Sequence, residues 1–437
     1  MATNINILLF CFLVVNHCDI IKGGNIFSSN KGEIFSDGKR NREADDPSRD
    51  GIPSHELIDD VITSERRSTI SLSPRELMKL MNFKLLPRNR TIINDFLDQS
   101  FYLEVDDTIA DTIDFQRRLN DATTELEIPK IDNEEVVNSL VSSVDPTRLQ
   151  ETSLSFFSRF KTRDSRSPIG RDASEGVFEL WLEIIENTKY SPNHPIMDIF
   201  REKATNHDQI GDRQESIVVE IRGYESKSEI IILGAHLDSI NSKDLKATGI
   251  APGIDDNVSG ISVLTEVLHS IVINEYHPDK TIRIIAFAAE EIGLLGSRKM
   301  AIEQQFETQE KIIAMVNFDM VGYKGSGKDM YISSDYSNMD LAQFLRLLLN
   351  HYQPDLTHDF QQCGYPCSDH ASWHAYGFPA AMASELDLKQ PNSTLNPYYH
   401  SSRDNYADGR IMAKYAKLAL AFLAEVAKGD IKVDGET

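Results

Sequence analysis

Three stretches of this chain are apolar at nearly every position: EIIILGAHLD (229–238), TIRIIAFAA (281–289) and KIIAMVNFDM (311–320). A strand with one face in water alternates apolar and polar residues, so an unbroken apolar run must be buried on both faces. Such strands belong in the middle of a largely parallel sheet that is covered by helices on each side. SIVVEIRG (216–223) reads as a further strand. VSGISVLTEVLHSIVIN (258–274) has helical apolar spacing, and a last helix is expected near 407–428. Strands alternating with helices imply the α/β class, here a three-layer α/β/α sandwich around a mixed, mostly parallel, twisted sheet. In such folds the ligand site lies beyond the carboxyl ends of the strands.

The residues at those ends are acidic or imidazole. The first run closes on His236 and Asp238, the second on Glu290 and Glu291, the third on Asp319. The loop APGIDDNVSG brings Asp255 and Asp256 just before a helix, and NPYYHSSRD supplies His400. Adjacent carboxylates in apolar surroundings repel each other, so Glu290 beside Glu291 calls for a cation. Taken singly, each residue has an ordinary explanation: a hydrogen-bonded histidine, a capping aspartate, glutamates complementing a helix dipole. Together, at one sheet edge, two histidines and three or four carboxylates form a donor set suited to a pair of zinc ions.

A chain of 437 residues accommodates one large domain and a smaller part. Its net charge of −23 argues against nucleic acid and against an anionic membrane as partners. Residues 1–23 contain an apolar run from Ile5 to Val15, long enough for a signal-peptide core and too short to span a bilayer. Export to an extracellular or periplasmic compartment is therefore expected. Residues 24–130 are polar and weakly patterned and read as a partly disordered extension or pro-segment. Within them a short helix is expected from Ser73, and Asn89 begins a glycosylation sequon. The catalytic domain is expected over 131–432, acting as a monomer. With Cys11 and Cys18 inside the signal, Cys363 and Cys367 remain, across a Gly/Pro turn suited to a small disulfide loop.

The motifs GAHLDS, APGIDDNVSG, AAEEIGLLGS, NFDMVGYKGS, CGYPCSDHASWHAYGFPAAM and NPYYHSSRD follow one another in order. With them, the stretch from about 131 to 430 resembles the secreted, bacterial-type leucyl aminopeptidases with two co-catalytic zinc ions. The resemblance implies one zinc held by His236 and Asp319 and another by Glu291 and His400. The bridging aspartate sits immediately before x-x-Ser-Gly in that family, which here is Asp256. Asp238 then orients the His236 imidazole, and Glu290 is the general base for an activated water. Tyr365 assists at the oxyanion by the same resemblance. The resemblance further implies an apolar pocket for the first side chain, lined by Met320, Met382 and the Cys363–Cys367 loop, with Ser384 where a relative has an aromatic residue. The implied substrates are peptides with a free, Leu-like N-terminal residue.

Other features compete. GYKGSGKD (322–329) nearly matches a phosphate loop, but Asp329 replaces the metal-binding hydroxyl and strand-like MYIS follows. His370 and His374, four apart, read as structural, and His269, His277 and His351 as surface residues. Asn257 is a formal sequon, but a glycan there would block the metal loop. Other enzymes of the same fold, a glutaminyl cyclase or a carboxypeptidase, are alternatives. The second needs a basic group for a terminal carboxylate, for which Arg403 is the nearby candidate. An inactive binding ectodomain would lose ligands or the base, and this chain retains all of them.

Overall fold

The computed structural model describes residues 20–22, 25–26, 67–72, 101–106, 114–119, 122, 126–188, 194–204, 214–244, 246–387 and 395–431. The chain divides into two compact units, Met1–Arg117 and Arg118–Thr437. In the first, β1 (Ile20–Lys22), β2 (Asn25–Ile26), β3 (Arg67–Leu72) and β4 (Phe101–Asp106) form an antiparallel sheet in the order β2-β1-β4-β3. The sequence reading assigned no strands to this part. RSTISL and FYLEVD pair along their whole length, with Arg67 opposite Asp106 and Leu72 opposite Phe101. The helix expected from Ser73 and the sequon at Asn89 lie outside the described residues.

The second unit is built on an eight-stranded sheet. Its strands are β5 (Met197–Lys203), β6 (Glu215–Ile221), β7 (Ser226–His236), β9 (Lys280–Phe287), β10 (Lys311–Phe318), β11 (Met330–Ser333), β12 (His358–Gln361) and β13 (Ala380–Ser384). The order is β12-β11-β13-β10-β7-β9-β6-β5. The four middle strands, β13, β10, β7 and β9, run parallel, while β6, β5 and β11 are antiparallel to their inner neighbours. The three apolar runs are thus adjacent central strands. This is the mixed, mostly parallel sheet expected from them.

Both sheet faces are covered. Ile231, Leu233 and Ala235 of β7, with Ile282, Ile284 and Ala286 of β9 and Val316 and Phe318 of β10, enter the main core. That core is shared with helices α1 (Glu134–Ser142), α2 (Pro146–Glu151), α3 (Pro168–Thr188), α4 (Ser259–Ile273), α6 (Met339–Tyr352) and α8 (Gly409–Ala427). α4 is buried at nearly every position, because α3 and α8 pack on it as well as the sheet. Across the sheet lie α5 (Leu295–Glu307) and the short α7 (His370–Ala375), whose Trp373 ring sits 6.4 Å from that of Phe287. Gly234 makes this approach possible. A Cβ there would come within 2.4 Å of the Phe287 ring and 2.8 Å of the Met315 methyl.

One surface assignment is corrected. His277 is on β8 (Tyr276–His277), which pairs with β14 (Asp430–Ile431), and it is only 5% exposed. The added strand pair and the Tyr224 ring, 4.8 Å away, cover it. Among the described residues no helix is long and apolar enough to cross a membrane.

Candidate active site

Strand order places the candidate ligands. His236 is the last residue of β7, Asp319 directly follows β10, and Glu290 and Glu291 stand just past the end of β9. Since β9, β7 and β10 are neighbours and parallel, these side chains emerge on one edge about 5 Å apart from strand to strand. Asp256 arrives from the loop before α4, and His400 from the segment before α8. The backbone is left-handed at Ala289 (φ 57°), Met320 (φ 52°) and His400 (φ 49°). Non-glycine residues rarely adopt that conformation, and here it occurs next to Glu290, next to Asp319 and at His400 itself.

The two oxygens of Asp256 face different histidines. Oδ1 is 3.1 Å from His236 Nε2, and Oδ2 is 3.0 Å from His400 Nε2. On the first side Asp319 Oδ1 lies 3.3 Å from His236 Nε2; on the second Glu291 Oε2 lies 2.9 Å from His400 Nε2. Donor atoms of His236, Asp256 and Asp319 fall within 4.8 Å of one another, as do those of Asp256, Glu291 and His400. Glu290 belongs to a similar cluster with His236 and Glu291. Asp238 is fully buried and its carboxylate accepts both Glu290 N–H (2.9 Å) and Glu291 N–H (3.2 Å). The same carboxylate is 3.6 Å from His236 Nδ1.

The electrostatics describe a site short of positive charge. Burial, opposed by His400 and reinforced by Asp256, raises Glu291 to about 7. Burial also raises Glu290 well above the carboxylate range, with Glu291, Asp369 and Asp319 adding to the shift against His236. For His236 and His400 burial alone would lower the pKa. The surrounding carboxylates overcome it and lift both well above the imidazole range. Glu291 Oε1 is buried without a hydrogen-bond partner. Imidazole nitrogens and carboxylates gathered this closely, with a buried acceptor left over, fit a metal centre.

A profile of peptidase family M28 matches residues 216–423. Leucine aminopeptidase 1 of Arthroderma gypseum is 32% identical over 306 residues, spanning 67% of this chain and 77% of the relative. The leucine aminopeptidase 1 of Trichophyton rubrum is 32% identical over 304 residues, with the same coverage. The chain belongs to peptidase family M28. With leucine aminopeptidases as its relatives over two thirds of its length, it is a metalloaminopeptidase. The LapA aminopeptidase of Legionella pneumophila shares the fold, with a TM-score of 0.62 at 24% identity over 84% of this chain and 100% of LapA.

Around the ligands this peptidase has residues that sequence reading passed over. Asp404, 1% exposed, accepts the backbone N–H groups of Asp255 (3.1 Å) and Asp256 (3.0 Å). It stood within NPYYHSSRD, four residues beyond His400, so the motif itself held that signal. Arg163 is fully buried and bonds to carbonyls at the end of β7 and at the start of the loop that carries Asp256; nothing in the local sequence marks it. Burial lowers it to about 10, and Asp404, Asp238, Asp256 and Glu291 favour its charged form. Asp255 binds no histidine. Its oxygens accept Gly322 N–H and the Asn396 amide, each at 3.0 Å, and burial beside Asp404 raises it to about 8.

The remaining residues fall as follows. Cys363 and Cys367 form a disulfide, and between them Tyr365 is half-exposed, with its pKa pushed up to about 12 by burial and by Tyr399, Glu290 and Asp319. Met320 is 4% exposed, and Met382 and Ser384 are fully buried on the neighbouring strand end. Asn257 is also buried, its amide donating to Phe318 O, so it offers no glycan site. Strand β11 starts directly after Asp329, where a phosphate loop must lead into a helix, which removes the phosphate-loop reading. His370 and His374 are buried on α7, and burial lowers His370 to about 3. Arg403 is exposed, its guanidinium 4.3 Å from the Tyr398 ring centre.

Gly253 shows how tightly the ligand loop is packed. Its φ is +54°, and a Cβ would lie 2.3 Å from Asp256 O and 2.6 Å from Ser239 Cβ. Gly253→Ala is expected to destabilise the fold by about 2 kcal/mol or more, from the left-handed backbone and the overlap together. Urea unfolding of the variant checks this; an unchanged midpoint would show that the loop has room to move.

Proposed function

We propose that this chain removes the first, Leu-like residue from peptides with a free N-terminus, using two zinc ions. One would be held by His236 and Asp319, the other by Glu291 and His400, with Asp256 shared. The observation that carries this reading is the division of the Asp256 oxygens between the two histidines, 3.1 and 3.0 Å away. Bound zinc supplies Lewis acidity, which brings water from a pKa of about 15.7 to about 7 and polarises a carbonyl.

The chain supplies the proton chemistry. Glu290 takes the proton of the attacking water and delivers it to the leaving amine. Its carboxylate clusters with donor atoms of His236 and Glu291, which puts it beside the place where the water would be activated. Asp238 holds the Glu290 and Glu291 backbone, so base and ligand keep a fixed separation. Tyr365, with a pKa near 12, stays protonated at neutral pH and donates towards the developing oxyanion. The Cys363–Cys367 bridge suits an exported protein. Residues 1–23 serve as its signal and 24–130 as an extension ahead of the catalytic part.

Hydrolysis of leucine p-nitroanilide, with and without an acetylated α-amine, tests the reading alongside a zinc count. Turnover of the free amine alone, by protein containing two zinc equivalents, is expected. Equal rates on both compounds would turn the assignment towards an endopeptidase or esterase.

A further inference from the structure

The segment carrying Asp256 is gripped from two sides by buried charged residues that have no ligand role. On one side Arg163 donates Nε–H to Leu237 O at 2.7 Å and an Nη2–H to Gly253 O at 2.9 Å, and Nη1–H to Pro252 O. Leu237 lies between His236 and Asp238, so this guanidinium ties the strand end bearing one ligand to the loop bearing the shared one. On the other side Asp404 spreads its two oxygens over successive amides, Oδ1 to Asp255 N–H at 3.1 Å and Oδ2 to Asp256 N–H at 3.0 Å. The Asn396 amide donates to Asp404 Oδ1 at 3.3 Å. Asp404 Oδ1 thus also faces the residue that holds Asp255, and its backbone carbonyl accepts Ile254 N–H at 3.0 Å.

We infer that Asp404, with Arg163, is a positioning pair that fixes the rotation of Asp256 so that each of its oxygens serves a different ion. The inference rests on the two-zinc reading above. A bridging carboxylate must present both oxygens at once, and a small rotation of its backbone spoils one bond before the other. One carboxylate accepting two consecutive N–H groups sets that rotation, and an asparagine in its place can accept only through one oxygen. The loss should therefore fall unequally on the two metals. A residue that merely supported the fold would weaken the apoprotein instead.

The test uses the full chain, stripped of metal and titrated with zinc against a chromophoric chelator, with thermal unfolding of the apoprotein in parallel. For Asp404→Asn we expect an apoprotein melting temperature close to wild type. One zinc should bind with near wild-type affinity and the other about 10–100-fold more weakly. kcat at limiting zinc should fall while KM holds. Arg163→Lys keeps the charge but cannot span three carbonyls, and it should give the same unequal loss; it decides the matter if Asp404→Asn does not fold. Two zincs bound at wild-type affinity in a folded variant would overturn the inference. So would equal weakening of both sites in step with apoprotein stability. Fewer than two zincs in the wild-type titration would instead overturn the two-zinc reading.

Discussion

Replacing Glu290, the proposed general base, with glutamine is expected to lower kcat by about 10²–10⁴-fold, the usual contribution of a positioned base, with zinc content unchanged. Glutamine keeps the shape and the backbone contact to Asp238, but it cannot accept the proton that water must lose. In barrier terms the loss is about 3–5 kcal/mol. KM should hardly move, because the carboxylate is needed in the transition state more than for binding. Glu290 is buried among His236, Glu291 and Asp319, where burial disfavours its charged form, so the variant also removes the cost of burying an ionisable carboxyl there. Apoprotein stability should consequently hold or rise, and the loss of activity cannot be assigned to unfolding. The decisive pair of measurements is steady-state kinetics and zinc content on one preparation. Activity within about tenfold of wild type would transfer the role of base to another group.

Much of this site was legible because the chemistry sits where apolar strands stop. Unbroken apolarity in β7, β9 and β10 announces burial on both faces, and a polar residue closing such a strand has only the sheet edge to occupy. His236, Glu290, Glu291 and Asp319 were found in that way. His400 and the Asp255–Asp256 pair lie on loops, where periodicity gives no direction; they were noticed by residue type, and only the resemblance chose Asp256 over Asp255. Arg163 could not be read at all, because its function depends on three carbonyls distant in sequence, and carbonyls leave no mark on residue type. His277 was misplaced for a related reason: a histidine in a charged turn looks exposed until β14 returns to cover it. The N-terminal strands are two to six residues long, too brief for a periodic pattern to stand out from loop.

Asp256→Ala is expected to be the more destructive change, since on the proposed two-zinc reading it would remove a ligand from both ions. The His236 and His400 nitrogens now share one carboxylate, and without it each retains one further carboxylate partner, Asp319 or Glu291. Zinc content should fall from two equivalents to one or fewer, and turnover by about 10³-fold or more, the several kcal/mol that a metal contributes to transition-state charge. Stability gives an independent reading of the same loss. A ligand at a thousand times its Kd stabilises the folded state by about 4 kcal/mol, so zinc added to wild-type apoprotein should raise the unfolding midpoint strongly. In the variant that rise should shrink by roughly one site's worth. Asp255→Ala is the matched control: the neighbouring carboxyl is equally buried but binds Gly322 and Asn396 rather than a histidine. It should lower apoprotein stability while leaving two zincs bound. If the two substitutions exchanged these effects, Asp255 would be the shared ligand and the division of the Asp256 oxygens would have another cause.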